Sequence, residues 1–205
     1  MIQRTTIILN PQLPAVQADL ADCNLMHQRV MSMFRNVRYN RVANRILYRV
    51  DNDDDVPLLT IQSTAPLDIM ELPFNYTYRP VTTDASYGER IALLPPQSQC
   101  AFVLLANASK RDWQSGKRQS LAHPDESLAW LLRQADQHGF AVADVAVTQM
   151  PRVQGAQSQW KLTYHPTRFC GVLTISEPTR FFAGLINGIG AAKAHGFGLL
   201  EVKTQ

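Results

Sequence analysis

Runs rich in Ile, Leu, Val and Thr at residues 2–9, Arg45–Val50 and Leu58–Ser63 read as β-strands. Between the first two, Pro11–Ala21 and Asn24–Asn36 read as helices. The second carries Met26, Val30, Met33, Phe34 and Val37 at helical spacing, with Asp22 or Asn24 placed to cap it. The acidic turn N-D-D-D-V-P joins the two later strands, and a short helical piece near Leu67–Leu72 leads into a Pro- and Tyr-rich stretch, Pro73–Pro96. The second half repeats the order. A strand at Cys100–Ala106, a helix at Asp125–His138, a strand at Phe140–Gln149 and a strand at Trp160–Ile175, interrupted at His165-Pro166, precede a helix at Glu177–Asn187 and a strand at Phe197–Val202. Both halves fit βαββαβ, so the expected fold is α+β, with tandem ferredoxin-like (RNA-recognition-motif-like) domains. Pro95-Pro96 divides the expected domains at 1–96 and 97–205. The repeat is one of pattern, without evident identity between the halves.

With 205 residues and 45% hydrophobic content, the chain has enough apolar surface for one large core or two small ones. Charge changes the picture more than composition does. The net charge is only +3, yet the span from Arg29 to Arg49 holds Arg29, Arg35, Arg38, Arg41, Arg45 and Arg49 and no acid. Such a patch favours a polyanion over a small neutral substrate; a solvated face balanced by Asp51, Asp53, Asp54 and Asp55 is the plainer alternative. Cys23, Cys100 and Cys170 are widely spaced and odd in number, which indicates buried thiols rather than a zinc site or a disulfide framework. No signal-peptide core or bilayer-length apolar run is present, so a cytoplasmic protein without a membrane partner is expected.

Candidate chemistry concentrates in two places. The terminal stretch G-I-G-A-A-K-A-H-G-F-G-L-L sets Gly188, Gly190, Gly196 and Gly198 around Lys193 with no acid among them, an arrangement suited to a phosphate backbone. The glycines follow a helix and precede a strand, the reverse of a dinucleotide-binding loop. A helix C-cap at Gly188 and a tight turn is the alternative. Among the five histidines, His27 lies on the arginine-rich helix beside its apolar stripe, at a rim that a substrate can reach, while His195 is a candidate RNA contact. Imidazole suits RNA cleavage because its ordinary pKa lies near neutrality, so it can take a proton from a 2′-hydroxyl or give one to a leaving 5′-oxygen. No metal-ligand, P-loop or G-x-S-x-G motif occurs, so no cofactor and no metal are expected.

The blocks L-M-H-Q-R-V-M-S-M-F (Leu25–Phe34), L-L-A-N-A-S-K-R (Leu104–Arg111), G-K-R (Gly116–Arg118), S-L-A-W-L (Ser127–Leu131), G-V-L-T-I (Gly171–Ile175) and the terminal glycine segment together resemble the CasE family. Those proteins are CRISPR repeat-processing endoribonucleases of the type I-E Cascade complex. The resemblance spans nearly the whole chain. It implies a tandem ferredoxin-like protein that binds a CRISPR repeat hairpin and cuts at its 3′ base without metal, by attack of the adjacent 2′-hydroxyl. It also implies that the product hairpin is retained as the guide RNA of Cascade, with the other Cascade subunits as partners. His27 corresponds to the family's catalytic histidine.

Arg29, Arg35, Arg38, Lys110, Arg111, Lys117, Arg118 and Lys193 are the backbone-binding candidates, and the polar segment Met150–Trp160 adds Arg152, which the resemblance sets against the repeat stem. The chain departs from the family at Asn24, where a tyrosine is common, and at Gln28, where arginine is common. It departs again at Val103, Leu105 and Ala108, in a block that is usually arginine-rich and ends in N-P-T-K-R. A non-catalytic RNA-binding scaffold of the same fold, with His27 a mere surface residue, is the alternative function.

Overall fold

The structure, a computed structural model, describes residues 1–34, 41–51, 56–114, 116, 118–121, 123–157 and 160–203. The chain forms two units from interleaved segments: Met1–Glu89 with Val153–Thr163 and Ala194–Gly196, and Arg90–Arg152 with Tyr164–Lys193 and Phe197–Gln205.

In the first unit, strand β1 (Gln3–Ile8) is followed by helices α1 (Pro14–Ala21) and α2 (Cys23–Ser32) and then strands β2 (Leu47–Asp51), β3 (Leu58–Ser63) and β4 (Thr82–Asp84). Pro14 opens α1, where its missing N–H costs nothing. Asp22, in an extended conformation, ends α1 and caps α2: its carboxylate accepts the N–H groups of Asn24 and Leu25 at 2.8 and 3.3 Å. A helix of this length is marginal alone in water. Burial of Met26 and Val30, at roughly 1.5–3 kcal/mol each, holds it against Ile7, Tyr48, Ile61 and Tyr76. Helix α2 stops at Ser32, earlier than the sequence expectation, although Met33 and Phe34 still reach the core.

The sheet order is β2-β3-β1-β4, and every pairing is antiparallel, including Gln3↔Ser63 to Ile8↔Leu58 for β1 with β3. Between β3 and β4, where the pattern calls for a second helix, only a 3-10 turn forms at Ile69–Glu71, capped by the Asp68 carboxylate. The Pro- and Tyr-rich stretch contains β4 and a short helix α3 (Tyr87–Ala92), neither of which the hydrophobic pattern signalled.

The second unit contains strands β5 (Gln99–Ala106), β6 (Ser109–Arg111) and β7 (Arg118–Ser120), helix α4 (Pro124–Gln137) and strand β8 (Phe140–Gln149). The chain then forms the hairpin strands β9 (Val153–Gln157) and β10 (Trp160–Tyr164), which pair with each other. Strand β11 (Thr167–Ile175), helix α5 (Pro178–Asn187) and strand β12 (Leu200–Lys203) follow. The sheet order β12-β5-β11-β8, antiparallel throughout, is the ferredoxin-like arrangement.

Prolines again open both helices of this unit. The expected strand over Trp160–Ile175 is two strands in different sheets, and His165-Pro166 lies between them. Cys23 and Cys100 are buried and Cys170 half-buried, none in a disulfide. No helix among the described residues is long and apolar enough to cross a membrane.

Candidate active site

Helix α2 turns Met26 and Val30 into the core, which leaves His27 half-buried at the edge of that face. Its Nδ1 is buried with no hydrogen-bond partner among the described residues. The ring of His195 stands against it, edge to face, with centroids 5.9 Å apart. His195 ends a 3-10 turn, Lys193–His195, and the backbone on either side is fixed by Tyr48. The Tyr48 hydroxyl donates to the Ala194 carbonyl at 3.0 Å, and at Gly196, with φ of 86°, a Cβ would sit 3.1 Å from the Tyr48 ring. Glycine therefore lets the chain turn tightly against that ring.

Arg41, whose Nη1 donates to the Ile46 carbonyl at 3.2 Å, faces both imidazoles. Desolvation lowers the His27 pKa below 6.5, and the charges of His195 and Arg41 lower it further against the opposing pull of the Ala194 carbonyl. His195 is lowered by desolvation and Arg41, while the Asp22 carboxylate favours its charged form. Burial would raise the Asp22 pKa, but backbone N–H bonds from Asn24, Ala156 and Leu25 together hold it below 3.8.

Asp22 also ties the β9–β10 hairpin to α2, since its second oxygen accepts the Ala156 N–H at 3.0 Å. Asn24, at the position where tyrosine was expected, donates from Nδ2 to the Ala156 carbonyl at 3.0 Å. That side chain ties the helix to the hairpin. Gly155 permits the approach, because a Cβ there would fall 2.6 Å from Cys23 Sγ. Burial beside Asp22 pushes the Cys23 thiol up to about 11, so it stays protonated. Arg152 and Gln154 are exposed on the same segment.

Arg29 points elsewhere: its Nε donates to Asp19 Oδ2 at 2.8 Å, the oxygen that also accepts the Tyr76 hydroxyl at 2.8 Å. Arg35, Arg38 and Lys117 lie outside the described residues.

In the second unit, Lys110, Arg118 and Lys193 share one cleft of about 470 Å³ with Arg133, Gln134, Gln137 and Asn187. Among the described residues no acidic side chain lines it, although Lys110 pairs with Glu126 at 3.1 Å. Arg111 is exposed on β6, opposite Arg118 of β7. Sequence reasoning missed Arg133, yet its signal was available: Trp130, Arg133, Gln134 and Gln137 follow the i, i+3, i+4, i+7 spacing of one face of α4. Trp130 is buried on Phe169, with ring centroids 6.0 Å apart, and forms the floor of the cleft. At Gly190, with φ of 88°, a Cβ would meet Trp130 at 2.9 Å. The terminal glycines thus shape the chain, and the Gly198 N–H is spent on the Leu105 carbonyl at 2.8 Å. Among the described residues, no group of three or more His, Cys, Asp or Glu side chains is placed to hold a metal ion.

Two sheets with the ferredoxin-like strand order, one unit carrying an imidazole pair and the other a cationic cleft, define a tandem ferredoxin-like α+β protein. Its sequence is 27% identical over 214 residues to the CRISPR-associated endoribonuclease Cse3 of Thermus thermophilus, covering 97% of this chain and 98% of that one. The chain belongs to the CRISPR associated protein family, which it matches over residues 4–204.

Thermus thermophilus Cse3 bound to an RNA representing a pre-cleavage complex is similar at a TM-score of 0.82 and 28% identity, with 99% of each chain covered. The CRISPR endoribonuclease Cse3 bound to 19 nt RNA gives 0.81 at 28% identity, again over 99% of each chain. Cas6e from Escherichia coli K-12 shares the fold, with a TM-score of 0.70 at 21% identity over 98% of each chain. The family assignment drawn from the sequence blocks agrees with these likenesses.

Proposed function

We propose that this protein is a metal-independent endoribonuclease that binds the hairpin of a CRISPR repeat RNA and cuts at its 3′ base. The 2′-hydroxyl next to the scissile phosphate attacks phosphorus, the bond to the 5′-oxygen breaks, and the products are a 2′,3′-cyclic phosphate and a 5′-hydroxyl. The observation that carries this reading is the environment of His27, a half-buried imidazole beside a second imidazole and the Arg41 cation, held below its ordinary pKa. Neutral imidazole and a fixed cation are what proton transfer and a phosphorane-like transition state require, with no metal-bound water. The likeness to Cse3 over 97% of this chain supports the RNA substrate.

Lys110, Arg118 and Lys193, joined by Arg133, bind phosphates in the cleft, with Arg111 exposed on the neighbouring strand. Arg152 contacts the repeat stem from the segment leading into the β9–β10 hairpin. Arg29, Arg35, Arg38 and Lys117 complete the proposed RNA-binding set, Arg29 with its Nε already engaged by Asp19. The product is retained in the cytoplasm as the guide of a Cascade complex, with that complex's other subunits as partners.

Incubation with repeat RNA in excess chelator tests the reading. It expects one cut at the 3′ base of the hairpin with a 5′-hydroxyl on the downstream fragment. A 5′-phosphate would point to metal-activated water, and tight binding without any cut would make the protein a scaffold.

A further inference from the structure

We propose that His195 is a second catalytic residue, the general acid that protonates the leaving 5′-oxygen, while His27 is the base that takes the proton from the 2′-hydroxyl. The inference rests on the endoribonuclease reading and assigns the two halves of its proton transfer.

In-line displacement at phosphorus puts the attacking and leaving oxygens on opposite sides. A single imidazole serves both only by moving its proton between them, whereas two imidazoles can serve one each. The ring centroids are 5.9 Å apart, close enough for both side chains to address the same phosphodiester. The residue where a phenol was expected does not compete for the acid role, because Asn24 has no proton to give at neutral pH and its amide is bound to the Ala156 carbonyl. His195 is also held in place: Tyr48 anchors the Ala194 carbonyl on one side and packs against Gly196 on the other.

The surrounding charges break the symmetry between the rings. Asp22 acts on His195 and favours its imidazolium. His27 lies against that imidazolium, with Arg41 facing both rings and Tyr48 beside Arg41, and its buried Nδ1 makes the neutral ring the favoured form. Two imidazoles this close repel when both are charged, so the first proton to bind suppresses the second. The pair therefore passes through a singly protonated state, in which the Asp22 carboxylate draws the proton to His195 against the pull of the Ala194 carbonyl on His27. Cleavage then balances: His27 gains the 2′-hydroxyl proton, the P–O2′ bond forms as P–O5′ breaks, and His195 gives its proton to O5′. Exchange with water resets both rings.

A repeat RNA with a bridging sulfur in place of the leaving 5′-oxygen separates an acid from a structural residue, since a thiolate leaves without being protonated. On ordinary RNA, His195→Ala is expected to slow single-turnover cleavage by at least about 100-fold, with hairpin affinity within about threefold of the parent. On the sulfur substrate it should cut within about tenfold of the parent, while His27→Ala stays slow on both. The descending, high-pH limb of the rate profile should vanish in His195→Ala. His195→Gln, which fills the same space without a titratable proton, should behave alike and guards against a folding defect.

Equal deficits on the oxygen and sulfur substrates, or His195 variants that cut ordinary RNA at the parent rate, would overturn the acid role and leave the endoribonuclease reading intact. A parent protein that cuts neither substrate would overturn both.

Discussion

The role proposed for His27 rests on position rather than on residue type. Its helix spends its apolar face on the core, so the imidazole sits at the boundary where desolvation and the neighbouring cations keep it neutral. Replacing it with alanine is expected to abolish cleavage of repeat RNA, with hairpin affinity within about threefold, because the proposed role of the ring is to move protons rather than to hold phosphates. A single-turnover assay paired with a binding titration checks this. A base works only when neutral, and the His27 pKa is shifted below 6.5. The ascending limb of the pH–rate profile, measured at subsaturating protein, should therefore have its midpoint below 6.5, with the optimum on the acid side of neutrality. An ascending midpoint above 7 would assign that limb to another group. Arg29 is placed differently. A cation two residues from the histidine suggested a phosphate contact, yet its nearest charge is Asp19 within its own unit.

At the scale of elements, Asp22 joins three of them: its backbone N–H closes α1 on the Ala18 carbonyl, and its carboxylate caps α2 and holds β9. Asp22→Ala is expected to cost about 1–2 kcal/mol in urea unfolding and to expose the Ala156 amide to hydrogen exchange. The folded pKa of this group is depressed, so its contribution is present above the unfolded value near 3.8 and is lost as pH falls through the lower folded value. The parent and the alanine variant should thus converge in stability as pH falls through that lower folded value. Gly155→Val forces a side chain against Cys23 and should destabilise by about 1–3 kcal/mol. The cap of α2 was legible in the sequence as Asp22 or Asn24, and so were the helices of the second unit, because caps and N1 prolines act locally. The packing of the hairpin on α2 was not legible, since Gly155 and Asp22 carry no mark that they meet. Strand β4 and helix α3 were hidden as well: β4 is only three residues, two of them exposed, too short to show a period.

For the whole molecule, the strand order of the second sheet follows from the βαββαβ pattern, as does the β2-β3-β1 part of the first, because alternating elements leave few antiparallel solutions. What the pattern could not supply was long-range company: His195 beside His27, or Arg133 with Lys193. Binding of the repeat hairpin should weaken steeply with salt, and Lys193→Ala or Arg133→Ala should each lower the slope of log K against log salt by about one. Lys110→Ala should lower it by less, because Glu126 already neutralises that cation, and Glu126→Gln should strengthen binding. Fluorescence titrations across a salt series measure all four. The interleaving of the first unit has its own consequence. It takes in Ala194–Gly196, more than 100 residues beyond its main segment Met1–Glu89, as well as the hairpin segment. During synthesis its sheet strands and α2 leave the ribosome long before His195 does, and amino-terminal elements generally fold first. A nascent chain can therefore present the first unit's sheet while lacking the second imidazole. The ring pair closes only after the chain has been made as far as His195, and no contiguous stretch of the sequence forms that unit by itself.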